Sequence, residues 1–191
     1  MMAKSNRHWD PMVLIFVIVC LLIGWFIKAG VEGRTISFSD SKSGISLNYP
    51  AGWVTMPEEG AILAVINPQT PSTFSTRFTI NTRHWNKALE LGNFIVQFSA
   101  ERGSSLSLYR IISMNPFELS NLKAMRVEYA YAIDPIGVRA GVTSFPKIVR
   151  ALDVIISKDD QMYIFTFAAE EKEYDKNLAK FNAIVESIRL Q

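Results

Sequence analysis

Histidine is the side chain that most readily carries protons near neutral pH, and this chain has two, His8 and His84. Only His84 lies in the polar body of the chain, so a nucleophile–His–acid triad would have to use it. It stands beside Trp85, between an alternating segment and an amphipathic one, and no Gly-x-Ser-x-Gly elbow presents a nucleophile. His84 therefore reads as a surface or structural histidine. Glu58-Glu59 and Asp159-Asp160 are adjacent carboxylates, a pattern open to acid–base work or to a hard cation. Both pairs lie among turn-forming residues, where solvated acids are expected. The single cysteine, Cys20, rules out an intramolecular disulfide and a multi-cysteine metal site. No Gly-rich run suits the cradling of a nucleotide phosphate. The expectation is a protein that is not an enzyme, with no catalytic, cofactor-binding or metal-ligating residues, folding without a cofactor.

Charge narrows the partners. The net charge of +2 resides entirely in the first 34 residues, where Lys4, Arg7, Lys28 and Arg34 outnumber Asp10 and Glu32. The rest of the chain is balanced, and its Lys and Arg are scattered. A balanced body has no field to attract a polyanion, so no nucleic-acid partner is expected.

The elements that must carry any function begin with an apolar run. Residues 12–27, MVLIFVIVCLLIGWFI, carry no charge. As a helix rising about 1.5 Å per residue they cover roughly 24 Å, short of the roughly 30 Å hydrocarbon layer. Pro11 and Ala29-Gly30-Val31 can extend the run, Lys28 can snorkel, and Trp25 suits an interface. Two rival readings are weaker. A cleaved signal peptide would place Ile27 or Lys28 at −3, where a small residue is wanted. A lipoprotein signal would need a small residue before Cys20, which follows Val17-Ile18-Val19. Cys20 reads as a small apolar residue in lipid. The sequence therefore predicts a tail at 1–11, a transmembrane anchor at 12–30, a linker at 31–34 and a folded domain at 35–191. With a short N-terminal tail kept inside, the domain is expected to be extracytoplasmic, in the periplasm or its equivalent, on a single-pass inner (cytoplasmic or photosynthetic) membrane.

The body reads as α+β. Strands are predicted at Thr35–Ser39, Ile45–Tyr49, Ala61–Ile66, Phe74–Arg83, Leu106–Met114, Lys123–Ala132, Lys147–Ser157 and Gln161–Ala168. In Lys123–Ala132 the residues Met125, Val127, Tyr129 and Tyr131 face one way, and Arg126, Glu128 and Ala130 the other. The last two strands are apolar on both faces, as central strands covered on both sides would be. A helix is predicted over about 87–102, with Leu91, Phe94, Ile95 and Phe98 as its buried stripe, Asn86 as its cap and Gly103 at its end. A second is predicted over about 172–189. Its seam is Tyr174, Leu178, Phe181, Val185 and Ile188, and Lys172, Lys176 and Lys180 form its solvated face.

Ser41–Trp53, SKSGISLNYPAGW, resembles the opening of PsbP-like domains, the family of the extrinsic photosystem II protein, with which DcrB and Mog-type proteins are related. Locally, Pro50 stops a strand, Gly52 allows a tight turn and Trp53 folds back as a core plug. The C-terminal hairpin, the aromatic strand Met162–Ala168, the pair Glu170-Glu171 and the helix bearing Ile184-Val185-Glu186-Ser187-Ile188 resemble the same family. The likeness covers about residues 36–190. It implies an α/β/α sandwich with a central antiparallel sheet, and a role in binding large membrane complexes or envelope partners rather than catalysis. Some members bind metal ions; no ligand of theirs is carried over to a position here. The apolar N-terminal run departs from the soluble and lipid-anchored members.

The functional expectation is a non-enzymatic, membrane-anchored accessory or assembly subunit that docks its PsbP-like domain on a larger membrane protein complex, photosynthetic or respiratory. The alternative is a DcrB-type envelope binding protein for a small ligand or transport partner. Trp53, Trp85, Tyr129 and Tyr131 are expected mainly in the core. The long irregular stretch Ile133–Phe145, with Arg139, is the expected partner loop.

Overall fold

A computed structural model describes residues 11–84, 90–134 and 145–191. The order of elements is α1 (Pro11–Glu32), β1 (Thr35–Asp40), β2 (Ile45–Pro50), β3 (Val54–Thr55), β4 (Leu63–Ile66), β5 (Arg77–His84), α2 (Leu91–Ser105), β6 (Ser107–Leu119), β7 (Leu122–Ile133), β8 (Lys147–Lys158), β9 (Gln161–Glu170), α3 (Glu171–Glu186) and β10 (Arg189–Leu190). The architecture is mixed α+β, with antiparallel sheets and three helices among the described residues.

The strands form two sheets rather than one. Seven strands pair in the order β3-β4-β5-β9-β8-β7-β6, and β1, β2 and β10 form a separate three-stranded sheet. The small sheet gains its third strand because the chain returns after α3. Backbone Ser187 and Ile188 close the helix with bonds to Ala183, Ile184 and Val185. Arg189 and Leu190 then pair with Ser46 and Ile45 of β2. The helix predicted to run to 189 therefore ends at Glu186, and its last residues become strand.

β8 and β9 are covered on both faces, as their composition requires. On one face Leu152, Val154, Ile156, Tyr163, Phe165 and Phe167 pack against Tyr174, Phe181, Ile184 and Val185 of α3 and against Ile45 and Leu47 of β2. On the other, Val149, Ala151, Ile155, Met162 and Ile164 pack with Ile95 and Phe98 of α2. Trp53 is buried in the first core, as the turn at Pro50–Gly52 suggests. Phe167 stacks on Phe181 with ring centroids 5.2 Å apart, a contact that ties β9 to α3.

Two segments differ from the sequence expectation for local reasons. β6 continues through Pro116 to Leu119. It is an edge strand of the large sheet, where a proline's missing donor is tolerated. It turns into β7 through Ser120 and Asn121, both at positive φ (51° and 65°), the geometry of a two-residue hairpin. α2 passes Gly103 and ends at Ser105. Gly103 does not cap the helix; it lies inside it, beside the ring of Tyr109. The expected start of this helix at 87 and its cap Asn86 lie outside the described residues. Glu90 stands at the N-cap without a side-chain capping bond.

The apolar side chains of α1 from Met12 to Ile23 are all exposed. Among the described residues no helix is long and apolar enough to cross a membrane. The described side chains of α1 stop at Gly24 and cover about 20 Å of helix. The structure thus gives no support to the transmembrane anchor expected at 12–30. Trp25 and Lys28, expected at its end, are outside the described side chains.

Candidate functional site

The sequence-based candidates do not converge. His84 is exposed at the end of β5, opposite Gln161 in the ladder, and has no hydrogen bond to a nucleophile or an acid among the described residues. Glu58 and Glu59 lie exposed before β4, and Asp159 and Asp160 on the exposed β8–β9 turn. No group of three or more His, Cys, Asp or Glu side chains could hold a metal ion among the described residues. Trp53 and Tyr129 are core residues and Tyr131 is half-buried. Trp85 lies outside the described residues. So does residue Arg139 with most of the expected partner loop, whose visible end Phe145 is fully open to solvent.

What the fold does bring together is a buried polar cluster that sequence reasoning missed. Alternation along β8 points Ala151, Asp153 and Ile155 toward α2. Asp153 is wholly buried. Its register partner on β9 is Thr166, whose hydroxyl donates to Asp153 Oδ1 at 2.6 Å. Tyr129 of β7 donates its phenol to the same oxygen at 3.4 Å. Arg102, from the last turn of α2, brings Nη2 to 3.5 Å of Oδ1 and to 3.3 Å of the Thr166 hydroxyl. Asp153 Oδ2 and Arg102 Nε are buried without a hydrogen-bond partner. The signal available in the sequence was one acid inside an apolar alternation, ALDVII. It needed Arg102, 51 residues earlier in the chain, before it could be interpreted.

The electrostatics follow from burial. Desolvation pushes the Asp153 carboxyl above its ordinary range, and Arg102, Thr166 and Tyr129 pull it partly back. Burial, with the Asp153 charge beside it, lifts the Tyr129 phenol well above its usual value. Burial would lower the Arg102 guanidinium, but Asp153 and the neighbouring tyrosines hold it above its ordinary value. The arginine is also supported by aromatic faces, 4.9 Å from the centroid of Phe98 and 5.9 Å from that of Tyr129. Phe98 lies one helical turn before Arg102, which is why the two meet.

Arg102 also lines a groove of about 480 Å³ between α2 and the β5–β9 part of the sheet. Asn81, Thr82 and Arg83 of β5 form one wall, Phe98, Glu101 and Ser105 of α2 the other, and Ile164 lies within it. Arg83 pairs with Glu101 across the groove. The hydrogen bond from Arg83 holds the Glu101 carboxyl below its usual range. Arg83 also lies over Phe98, 5.3 Å from its ring centroid. The groove is thus polar and lined by two arginines, each paired with an acid, with a volume suited to a small ligand. It presents guanidinium, amide and hydroxyl groups.

No protein-family model matches the sequence, and no curated protein sequence matches it. Solved structures do match the fold. A solution structure of cyanobacterial PsbP, CyanoP from Synechocystis sp. PCC 6803, superposes with a TM-score of 0.62 at 13% identity, covering 82% of this chain and 92% of that one. The fold is PsbP-like. PA94 of Pseudomonas aeruginosa, a protein of unknown function described as a putative regulator, matches with a TM-score of 0.56 at 10% identity over 83% of this chain and 99% of its own. The Ran-binding protein Mog1p of Saccharomyces cerevisiae matches at 0.53 and 8% identity, over 82% and 95%. At these identities the likeness is one of fold, and it agrees with the resemblance carried by Ser41–Trp53.

Proposed function

We propose that this chain is a non-enzymatic, membrane-tethered accessory or assembly subunit. Its PsbP-like domain would dock on a larger membrane protein complex, photosynthetic or respiratory, from the extracytoplasmic side. The observation that carries the reading is the junction of a PsbP-like fold to α1, whose described apolar side chains from Met12 to Ile23 are all exposed. A continuous apolar surface of this kind needs lipid or a partner to cover it. On this reading 12–30 is a single-pass anchor, which raises the domain's effective concentration at the membrane without requiring tight docking.

A second reading, an envelope binding protein for a small ligand, is favoured by the groove beside Arg102. Extraction of membranes with mild detergent, followed by affinity purification of the full chain and mass spectrometry, separates the two. A stoichiometric membrane complex supports docking. Recovery of the chain in the carbonate-soluble fraction, with no membrane partner, would refute the tethered subunit.

A further inference from the structure

The groove between α2 and β5 contains two guanidinium groups over one aromatic ring, Arg83 and Arg102 on Phe98. Neither is locked. Arg102 commits only Nη2, to Asp153 and Thr166 at 3.5 and 3.3 Å, and its Nε has no partner. It therefore lacks the two-pronged geometry that would satisfy a guanidinium with a carboxylate. Arg83 meets Glu101 through Nη1 at the rim, where both side chains are close to half exposed. A pair so open to water is weakly held and easily exchanged for another carboxylate.

We infer that this groove is a receptor site for a small monoanionic carboxylate, taken by Arg83 and Arg102 on the floor that Phe98 forms beneath them. The charge count selects the class. Arg83 and Arg102 face two acids, Glu101 on the rim and the buried Asp153, so a ligand carboxylate enters by taking the place of Glu101 on Arg83, one charge for one. A phosphate dianion would overshoot, with the buried Asp153 directly behind Arg102. Asn81, Thr82 and Ser105 supply further hydrogen-bonding groups around the site. Phe98 and Ile164 form the buried apolar floor that holds the two guanidiniums in place. The site stands whether or not the domain docks on a complex, because none of its residues belongs to α1 or to the expected partner loop.

The test is titration of the full chain, in a neutral detergent, with benzoate, benzamide and inorganic phosphate, followed by calorimetry or NMR shifts. Benzoate is expected to bind saturably, with benzamide and phosphate each at least roughly tenfold weaker, the ratio that one charge-assisted hydrogen bond supplies. Arg83→Gln, on the exposed rim, should weaken benzoate by a similar factor with an unchanged circular dichroism spectrum. Glu101→Gln should strengthen it, because it frees Arg83 from a competing carboxylate. Equal binding of benzoate and benzamide, tighter binding of phosphate, an Arg83→Gln variant that binds as before, or no benzoate binding at all would each overturn the assignment. A failed complex purification would leave this titration readable, so the two proposals fail separately.

Discussion

Asp153→Asn tests how the buried cluster is held together. The substitution keeps the shape of the side chain and removes its charge. Removing one partner of a buried ion pair commonly costs about 3–5 kcal/mol, because the other charge is stranded. Three features of this site reduce that cost. Arg102 retains over a quarter of its side-chain exposure and opens onto the groove, so water can take up its charge. The pair has a single 3.5 Å contact. Asp153 Oδ2 is already buried without a partner, a defect worth about 1–3 kcal/mol in its own right. An Asn oxygen in the place of Oδ1 still accepts from Thr166 and Tyr129. The net cost should therefore be small at neutral pH, about 1 kcal/mol, or roughly 2–4 °C in melting temperature for a chain of this size.

Its pH dependence has a definite sign. The carboxyl is raised above its ordinary value of 3.8 in the folded state. The stability it contributes is then fully present below that ordinary value and is lost as pH rises toward and through the folded value. Wild type should lose stability relative to Asp153→Asn as pH increases from about 4 toward neutrality. Urea melts of both proteins at several pH values measure this, and the difference between them removes the contribution of every other titrating group. A cost above about 3 kcal/mol at neutral pH that fades as pH falls would refute the reasoning. It would mean that the ionised carboxylate is the partner Arg102 requires.

Two further outcomes follow from the packing. Trp53→Ala should cost about 3–5 kcal/mol, because Trp53 is buried in the core shared by β2 and α3; a near-normal denaturation midpoint with lost partner binding would instead place it on a docking surface. Gly44→Ala should destabilise by about 1–2 kcal/mol, because Gly44 has φ +62° and an added Cβ would meet the Gln191 carbonyl oxygen at 3.0 Å. The same change should expose the amide of Gln191, which bonds to the Gly44 carbonyl at 2.8 Å, to hydrogen exchange; unchanged stability and exchange would show that the C-terminal strand is not anchored there.

Much of the architecture is written locally. Period-two alternation in β7 and unbroken apolarity in β8 and β9 specify strands and the faces they bury, because side-chain direction in a strand depends on parity alone. The stripe Leu91–Phe98 and the seam Tyr174–Val185 specify two helices in the same way. The Pro50-Ala51-Gly52-Trp53 turn with the strand before it was enough to suggest the PsbP-like fold. Tertiary structure decided what parity cannot. The last residues of the chain leave α3 and become a strand because β2 offers Ile45 and Ser46 as pairing partners. Pro116 stays in a strand because β6 is an edge strand of the seven-stranded sheet among the described residues. The candidate site belongs to this second group. Asp153 in sequence is one acid among apolar residues, and Arg102 one base at the end of a helix. Only packing α2 across β8 and β9 makes them a pair and sets Arg102 beside Arg83 in the helix–sheet groove.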